Sequence, residues 1–168
     1  KMKKKILIFI LLNILTLNSR AEIVYIDINY ILNSSDVGKN LNTYLETIKN
    51  KNSLKYEKIE NDLVNKEKSL IAQQNILDKE QFQKKLKKLT SEVQKYRSDK
   101  KVSLEELNNI KINKTKEILL ALNPIITKYV DENSMSIVIP KKNIVVGRKN
   151  LDITNQIIKL LNKNITKL

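Results

Sequence analysis

Residues 56–100 read YEKIENDLVNKEKSLIAQQNILDKEQFQKKLKKLTSEVQKYRSDK and decide the fold. In the first half, apolar residues recur every seven positions at Tyr56, Leu63, Leu70 and Leu77. In the second half, apolar residues alternate in steps of four and three at Phe82, Leu86, Leu89, Val93 and Tyr96. Both patterns are typical of the narrow apolar seam of a coiled coil. The stretch therefore predicts two helices that pack along their length.

The surrounding sequence predicts that these helices are long and antiparallel. Residues 41–132 contain no glycine and one proline, Pro124, so little interrupts a helix there. The periodicity changes phase at residues 75–80, where Asp78 can cap a second helix with Gln81 in capping-box spacing. We predict a hairpin arm over residues 37–132, with helices 37–75 and 79–132 and a tip near 75–80. Some forty residues of helix reach roughly 60 Å.

The alternative to a projecting arm is that the hairpin folds back on itself as a helical bundle. A compact helical bundle would need further long helices to cover the hairpin, and the remaining sequence does not supply them. Pro124 predicts a kink where the arm meets the rest of the chain, or a break between two helices. The projecting arm is favoured.

Composition limits the chemistry that the chain can perform. It has 168 residues, one domain's worth, with no cysteine and no histidine, which excludes thiol catalysis, disulfides and histidine-centred metal sites. Glu105 and Glu106 are adjacent and point to different sides of a helix, so they form no acid–base pair. We predict no enzymatic activity, no cofactor and no metal.

The first residues predict a signal peptide. Three lysines at residues 3–5 precede an apolar run at residues 6–17, and small residues at Ser19 and Ala21 place a cut between Ala21 and Glu22. The apolar run is too short for a comfortable membrane span, although an uncleaved anchor is the alternative. We therefore expect residues 1–21 to be removed on export.

The two ends of the remaining chain predict a small β-stranded body over residues 22–36 and 133–168. Residues 23–29 predict a strand, and Asn29 is the predicted cap of a turn of helix at residues 30–32. Asp36 is the predicted N-cap of the first long helix. Gly38 and Lys39 lack the other residues of a phosphate-binding loop. Residues 136–140 and 143–147 predict a β-hairpin, followed by a helix over 153–161 capped by Asp152. The fold class is α+β, mostly α.

The body is too small to bury its apolar residues alone and needs either the base of the arm or further copies of itself, and we predict an oligomer. The residues expected in the body core or between subunits are Val24, Ile26, Ile28, Ile137, Val138, Ile139, Ile144, Val145, Val146, Ile153 and Ile157.

The arm carries most of the excess positive charge. The chain has 32 Lys and Arg against 18 Asp and Glu, and residues 49–117 hold 18 of the cations against 11 carboxylates. Lys66, Gln73 and Lys100 interrupt the seam, which favours a flexible arm. Lysines can bind acidic proteins or anionic lipid, whereas the predicted export and the lack of stacking aromatics argue against a specific nucleic-acid partner. The arm lysines proposed for such contacts are Lys55, Lys58, Lys66, Lys68, Lys84, Lys85, Lys87, Lys88, Lys95, Lys100 and Lys101.

The order of these elements resembles the Skp/OmpH family of periplasmic chaperones. At one end, residues 23–27, Ile31-Leu32 and Gly38-Lys39 are similar to the family's opening strand and helix entry. At the other end, residues 136–139, 144–147, 151–154 and 157–158 are similar to its closing block. The resemblance covers essentially the whole chain after residue 21, although the arm matches only in pattern.

The resemblance implies a homotrimer in the periplasm, with three arms that extend from a β-stranded trimerisation body around a cavity. It also implies that the chain holds unfolded outer-membrane β-barrel proteins without ATP. Such precursors expose apolar residues and unpaired strand edges, which aggregate in water. The alternative is a coiled-coil scaffold or spacer of the cell envelope, which explains the periodicity but not the interrupted seam.

Overall fold

The structure, a computed structural model, describes residues 22–165. The predicted signal peptide and Ala21 of its cleavage site lie outside the described residues. In chain order, the elements are β1 (Glu22–Ile26), α1 (Ile28–Ser34), α2 (Asp36–Ala72), α3 (Lys79–Glu132), β2 (Met135–Pro140) and α4 (Thr154–Asn164), with 3-10 turns at Lys141–Asn143 and Lys149–Leu151.

The long helical hairpin is confirmed. α2 ends at Ala72, three residues before the predicted end at residue 75, and a turn leads into α3. The Asp78 carboxylate accepts a hydrogen bond from the backbone N–H of Gln81 at 2.8 Å, as the capping spacing predicted. α3 then runs over the predicted range. Because Pro124 lies inside α3, the predicted alternative of a break at this proline is wrong, and the kink stays a prediction.

The starts of α1 and α2 differ from the predicted caps. Asp27, rather than Asn29, caps α1 by accepting a hydrogen bond from the Tyr30 N–H at 2.9 Å. Ser35, rather than Asp36, caps α2 through its hydroxyl oxygen and the Gly38 N–H at 3.2 Å. Each helix begins earlier than the apolar pattern indicated, and the capping position moves with the start.

Gly38 allows α2 to approach α1 closely. A Cβ at Gly38 would lie 1.8 Å from the carbonyl oxygen of Leu32, which belongs to the backbone of α1. Such a contact is impossible without displacement of one helix, so the position requires glycine. This packing role explains the Gly38-Lys39 pair without a phosphate.

The predicted β-hairpin at residues 136–147 is wrong. β2 instead pairs with β1 in parallel, with Val24 opposite Val138, and forms a two-stranded sheet. Beyond Pro140 the chain enters a 3-10 turn, and the Ile144 N–H bonds back to the Lys141 carbonyl oxygen at 3.0 Å. The other edge of β1 is met by residues 152–153, where the Ile153 N–H donates to the Tyr25 carbonyl oxygen at 3.0 Å. Residues 144–147 therefore form no strand within the described chain.

The core lies in the body, where the ends of the arm helices join the sheet. Nine buried side chains from β1, α1, α2, α3, the segment before α4, and α4 form one cluster: Val24, Ile26, Ile31, Val37, Ile118, Leu122, Ile153, Ile157 and Leu161. The cluster ties both ends of the arm to one another through apolar contact.

The predicted core residues divide into three groups. Val24, Ile26, Ile153 and Ile157 are buried, while Ile28 and Val138 pack against the same cluster. Ile139 and Ile144 are half-buried. Ile137, Val145 and Val146 are 50%, 99% and 89% exposed, so they are not core residues of the single chain. Val145 and Val146 lack cover because their predicted strand does not form, and burial between subunits stays a prediction.

Candidate functional site

The hairpin arm is the candidate functional site because most of its surface is open. Over residues 39–117, all of which the structure describes, the buried side chains are Tyr56, Leu63 and Leu70. These are three of the four residues whose seven-residue spacing predicted the seam, and the fourth, Leu77, is half-buried. A seam this narrow covers only one stripe of each helix. The flanks of the arm remain available for binding.

Hydrogen bonds between the two helices fix their register. Toward the tip, the bonded residues increase in residue number along α2 and decrease in residue number along α3, as antiparallel packing requires. The five bonded pairs and their distances are Asn52–Ser103 (2.7 Å), Tyr56–Asp99 (2.8 Å), Glu60–Tyr96 (2.6 Å), Lys66–Glu92 (2.9 Å) and Gln73–Lys85 (2.6 Å). A slip of one heptad would break all five together.

The centre of the arm is an aromatic and charged cluster. The Tyr56 hydroxyl donates to the backbone carbonyl of Asp99, and its ring meets the Tyr96 ring edge-on with centroids 6.0 Å apart. Lys100 donates to the Tyr96 hydroxyl, which donates in turn to the Glu60 carboxylate. The bond from Tyr96 lowers the pKa of Glu60, and the bond to Tyr96 raises the pKa of Lys100. Both groups therefore stay charged at neutral pH.

Lys66 and Gln73, which interrupt the apolar pattern, are bonded across the arm. The Lys66 ammonium lies 2.8 Å from Asp62 and 2.9 Å from Glu92. Its hydrogen bonds, first to Asp62 and then to Glu92, raise the pKa of Lys66 to about 12. The Gln73 side-chain oxygen accepts from Lys85. Lys66 is exposed to water and Gln73 is half-buried, so we expect these polar contacts to add little stability and to act mainly on the register of the helices.

The eleven proposed arm lysines differ in the contacts that their side chains make. Lys66, Lys95, Lys100 and Lys101 form ion pairs with carboxylates on the arm. Lys55 lies 5.1 Å from the centre of the Tyr56 ring, and Lys85 donates to Gln73. The remaining five form no ion pair within residues 22–165, namely Lys58, Lys68, Lys84, Lys87 and Lys88. Three of these five lie on the part of α3 nearest the tip.

The Asn52–Ser103 pair was not among the predicted contacts, although the sequence contains a signal for it. Asn52 lies seven residues before Ile59, and Ser103 lies seven residues after Tyr96, so both continue the seam. If the seven-residue repeat is continued through polar positions, it places Asn52 and Ser103 in the seam on facing helices.

Other kinds of site have no support in the part of the chain that the structure describes. No cluster of three or more acidic side chains there could hold a metal ion. None of its helices is long and apolar enough to cross a membrane.

The chain matches the profile of a known protein family. The profile of the family described as "Outer membrane protein (OmpH-like)" matches residues 22–161, which include the body, the arm and most of α4. The chain belongs to the OmpH-like family. This membership agrees with the resemblance seen at the two ends of the sequence.

The OmpH-like fold is also found among solved structures. The crystal structure of a candidate outer-membrane chaperone (OmpH-like) from Caulobacter crescentus superposes with a TM-score of 0.83 at 17% sequence identity, covering 89% of this chain and 88% of the other. At this identity the likeness shows a shared fold. No curated protein matches the sequence.

Proposed function

We propose that the chain is an ATP-independent periplasmic chaperone that holds unfolded outer-membrane β-barrel proteins between the arms of a homotrimer. The observation that carries this proposal is the long arm, held by a narrow seam and exposed on its flanks. Family membership and the fold of the Caulobacter crescentus relative support a chaperone role. The proposed activity is binding, with no reaction and no cofactor.

The physical properties of the arm suit a client without fixed structure. Large apolar side chains, including Leu54, Ile71 and Leu104, are exposed on it. These can contact the apolar residues of an unfolded barrel, which would otherwise aggregate. The lysines without ion pairs would attract acidic segments of the same client, and this attraction falls with salt.

Export and trimer formation belong to the same proposal. The signal peptide of residues 1–21 would deliver the chain to the periplasm. The exposed residues Ile137, Val145 and Val146 would be buried between subunits, since exposed apolar side chains are unfavourable in water. The anionic membrane surface is a second proposed partner of the arm lysines.

The test combines light scattering with a client diluted from urea. We expect the mature chain from Glu22 to have three times the mass of one chain, to take up one barrel protein and to keep it soluble. Precipitation of the client beside a soluble protein would contradict the proposal and favour the scaffold alternative. Unrelated barrels should be held alike by a chaperone, whereas a scaffold has one partner.

A variant tests the electrostatic part separately. Replacement of Lys84, Lys87 and Lys88 by glutamine removes three cations without an apolar loss. We expect weaker client binding at low salt and little difference from wild type at high salt. Replacement of the ion-paired Lys95, Lys101 and Lys114 by glutamine is the matched control and should change binding less, because their charges are already partly neutralised.

A further inference from the structure

The two flanks of the arm differ in character. Around each buried seam residue of α2, the residue one position earlier and the residue four positions later lie on opposite flanks of the arm. Asp62 and Ser69 are on one flank, and Glu60 and Glu67 are on the other. We call the flank that contains Ser53, Glu60, Val64, Leu86, Arg97 and Leu104 the groove face. We call the flank that contains Lys66, Ser69, Lys85, Lys88 and Glu92 the basic face.

The groove face carries two adjoining cavities, which together we call the groove. The first, of about 550 Å³, extends along α2 from Lys49 to Val64, opposite residues 100–107 of α3, and the second, of about 490 Å³, extends toward the tip as far as Leu86. Both are lined by Glu60 and Val64, so they meet there. On the basic face the corresponding cavity is about 270 Å³.

Charge separates the two faces further. The lining of the groove carries three carboxylates and three cations, namely Glu57, Glu60, Glu67, Lys49, Arg97 and Lys100. The cavity on the basic face is lined by three lysines and one carboxylate, Lys66, Lys85, Lys88 and Glu92. An acidic ligand would therefore favour the basic face, and a ligand without net charge loses nothing in the groove.

The dimensions of the groove suit an extended chain segment. From Lys49 to Glu67, the lining residues of α2 span about 27 Å of helix. An extended strand of about eight residues covers the same length. Strands of outer-membrane barrels have about 9–11 residues and alternate apolar with polar side chains. One apolar face of such a strand can contact Val64, Leu86 and Leu104 while its polar face stays in water.

We propose that the groove face, and not the lysine-rich flank, binds uncharged, alternating apolar–polar strand segments of an unfolded protein. This inference rests on the proposed chaperone function and names the surface of the arm and the class of segment. The basic face then serves acidic segments, so one arm offers two surfaces with different salt dependence.

The test compares two double variants of the full mature protein. Val64→Gln with Leu104→Gln removes apolar side chains from the groove, where they are 40% and 62% exposed. Val102→Gln with Ile112→Gln is the matched control, because these residues are 47% and 54% exposed and do not line the groove. Glutamine is a good helix former, so both variants should keep the arm folded.

The probe is a fluorescent, uncharged peptide of about ten residues with alternating apolar and polar side chains, beside an acidic peptide of equal length. We expect the groove variant to weaken binding of the uncharged peptide about tenfold, and the control variant to leave it unchanged. Binding of the uncharged peptide should be the same at low and high salt, while binding of the acidic peptide should fall with salt.

Three results would overturn the inference. The first is an equal loss of peptide binding in the two variants, and the second is a strong salt dependence for the uncharged peptide. The third is a changed oligomeric mass in the groove variant alone, which would show that a second copy occupies the groove.

Soluble holding of a barrel protein separates this inference from the proposed function. If wild type fails to hold the barrel but binds the peptide in the groove, the proposed function fails alone. If the groove variant holds barrel and peptide as well as wild type does, the inference fails alone.

Discussion

The body and the arm are built on opposite principles from the same chain. The body gathers nine buried side chains into one cluster, and several of them, such as Ile31, Ile157 and Leu161, have no exposed surface. The arm is much longer, yet between residues 39 and 117 it buries three side chains and relies on hydrogen bonds between its helices. The body therefore provides the stability and the arm provides the surface.

This difference has a physical basis in how each interaction depends on water. Burial of an apolar side chain contributes about 1.5–3 kcal/mol, whereas an exposed ion pair contributes about 0–1 kcal/mol. An arm held by a narrow apolar seam and by polar contacts, most of them exposed, can open locally at low free energy while the body stays folded. A binding surface for unfolded clients needs this kind of adaptability.

The largest expected effect is the removal of a core side chain from the body. Ile157→Ala should lower the free energy of unfolding by about 4 kcal/mol, because it leaves a cavity in a fully buried site. Ile112→Ala on the exposed arm should change it by less than about 0.5 kcal/mol. Urea unfolding of both variants measures the contrast, and similar effects would abolish the distinction between the two regions.

The junction of the two regions should be nearly as sensitive. Gly38→Ala places a Cβ against the Leu32 carbonyl oxygen and should cost about 3 kcal/mol, since the backbone of α1 cannot move aside freely. Lys39→Ala is the control because Lys39 is exposed. Unfolding by urea that shows equal stability for Gly38→Ala and wild type would mean that α1 and α2 pack less closely than described.

A seam substitution should act locally. Leu63→Ala should lower local stability by about 2 kcal/mol and increase amide hydrogen exchange over residues 52–103, because Leu63 is one of three buried residues there. Exchange in the body should stay as in wild type. Faster exchange throughout the chain would show that arm and body unfold as one unit.

The smallest expected effect is a pH-dependent one in the body. The Tyr30 N–H and the Lys141 ammonium lower the pKa of Asp27 below its ordinary 3.8. The ionised carboxylate therefore stabilises the fold above that value, and the contribution is lost as pH falls through the lower folded pKa. Asp27→Ala should cost about 1 kcal/mol at neutral pH through the lost cap.

Asp27→Asn separates the charge from the cap. Asparagine caps helices about as well as aspartate, so this variant should lose only the acid-dependent part of the stability. Urea unfolding at several pH values measures the difference from wild type, which should shrink as the solution is acidified. A difference that grows on acidification would have the wrong sign for this account.

The sequence predicted the arm well and the sheet poorly, for a physical reason. Spacing along one helix is a local property, so Tyr56, Leu63 and Leu70 and the Asp78 cap could be read from the sequence. The partner of β2 is β1, which lies more than a hundred residues earlier in the chain, whereas the sequence pattern predicts pairing with the nearer residues 143–147. Parallel pairing through a long connection leaves no local signal.

Within the candidate site, the ion pairs of Lys95 with Asp99 and of Lys101 with Glu105 follow a four-residue spacing that the sequence shows. The ion pairs across the arm, such as Lys66 with Glu92, depend on the register of the hairpin. The groove likewise depends on which flank receives Val64 and Leu104 together. The ion pairs across the arm and the groove both require the two helices to pack in one register, and amino-acid composition does not determine that register.

The most direct measurement of the central claim is amide hydrogen exchange of the mature protein with and without a bound barrel client. Without client, we predict slow exchange in the body around Ile31, Ile118 and Ile157 and faster exchange along the arm. With client, protection should increase over residues 49–67 and 86–107 while the body is unchanged. Protection gained only in the body, with the arm unaffected, would contradict the division of the molecule into a stable body and a binding arm.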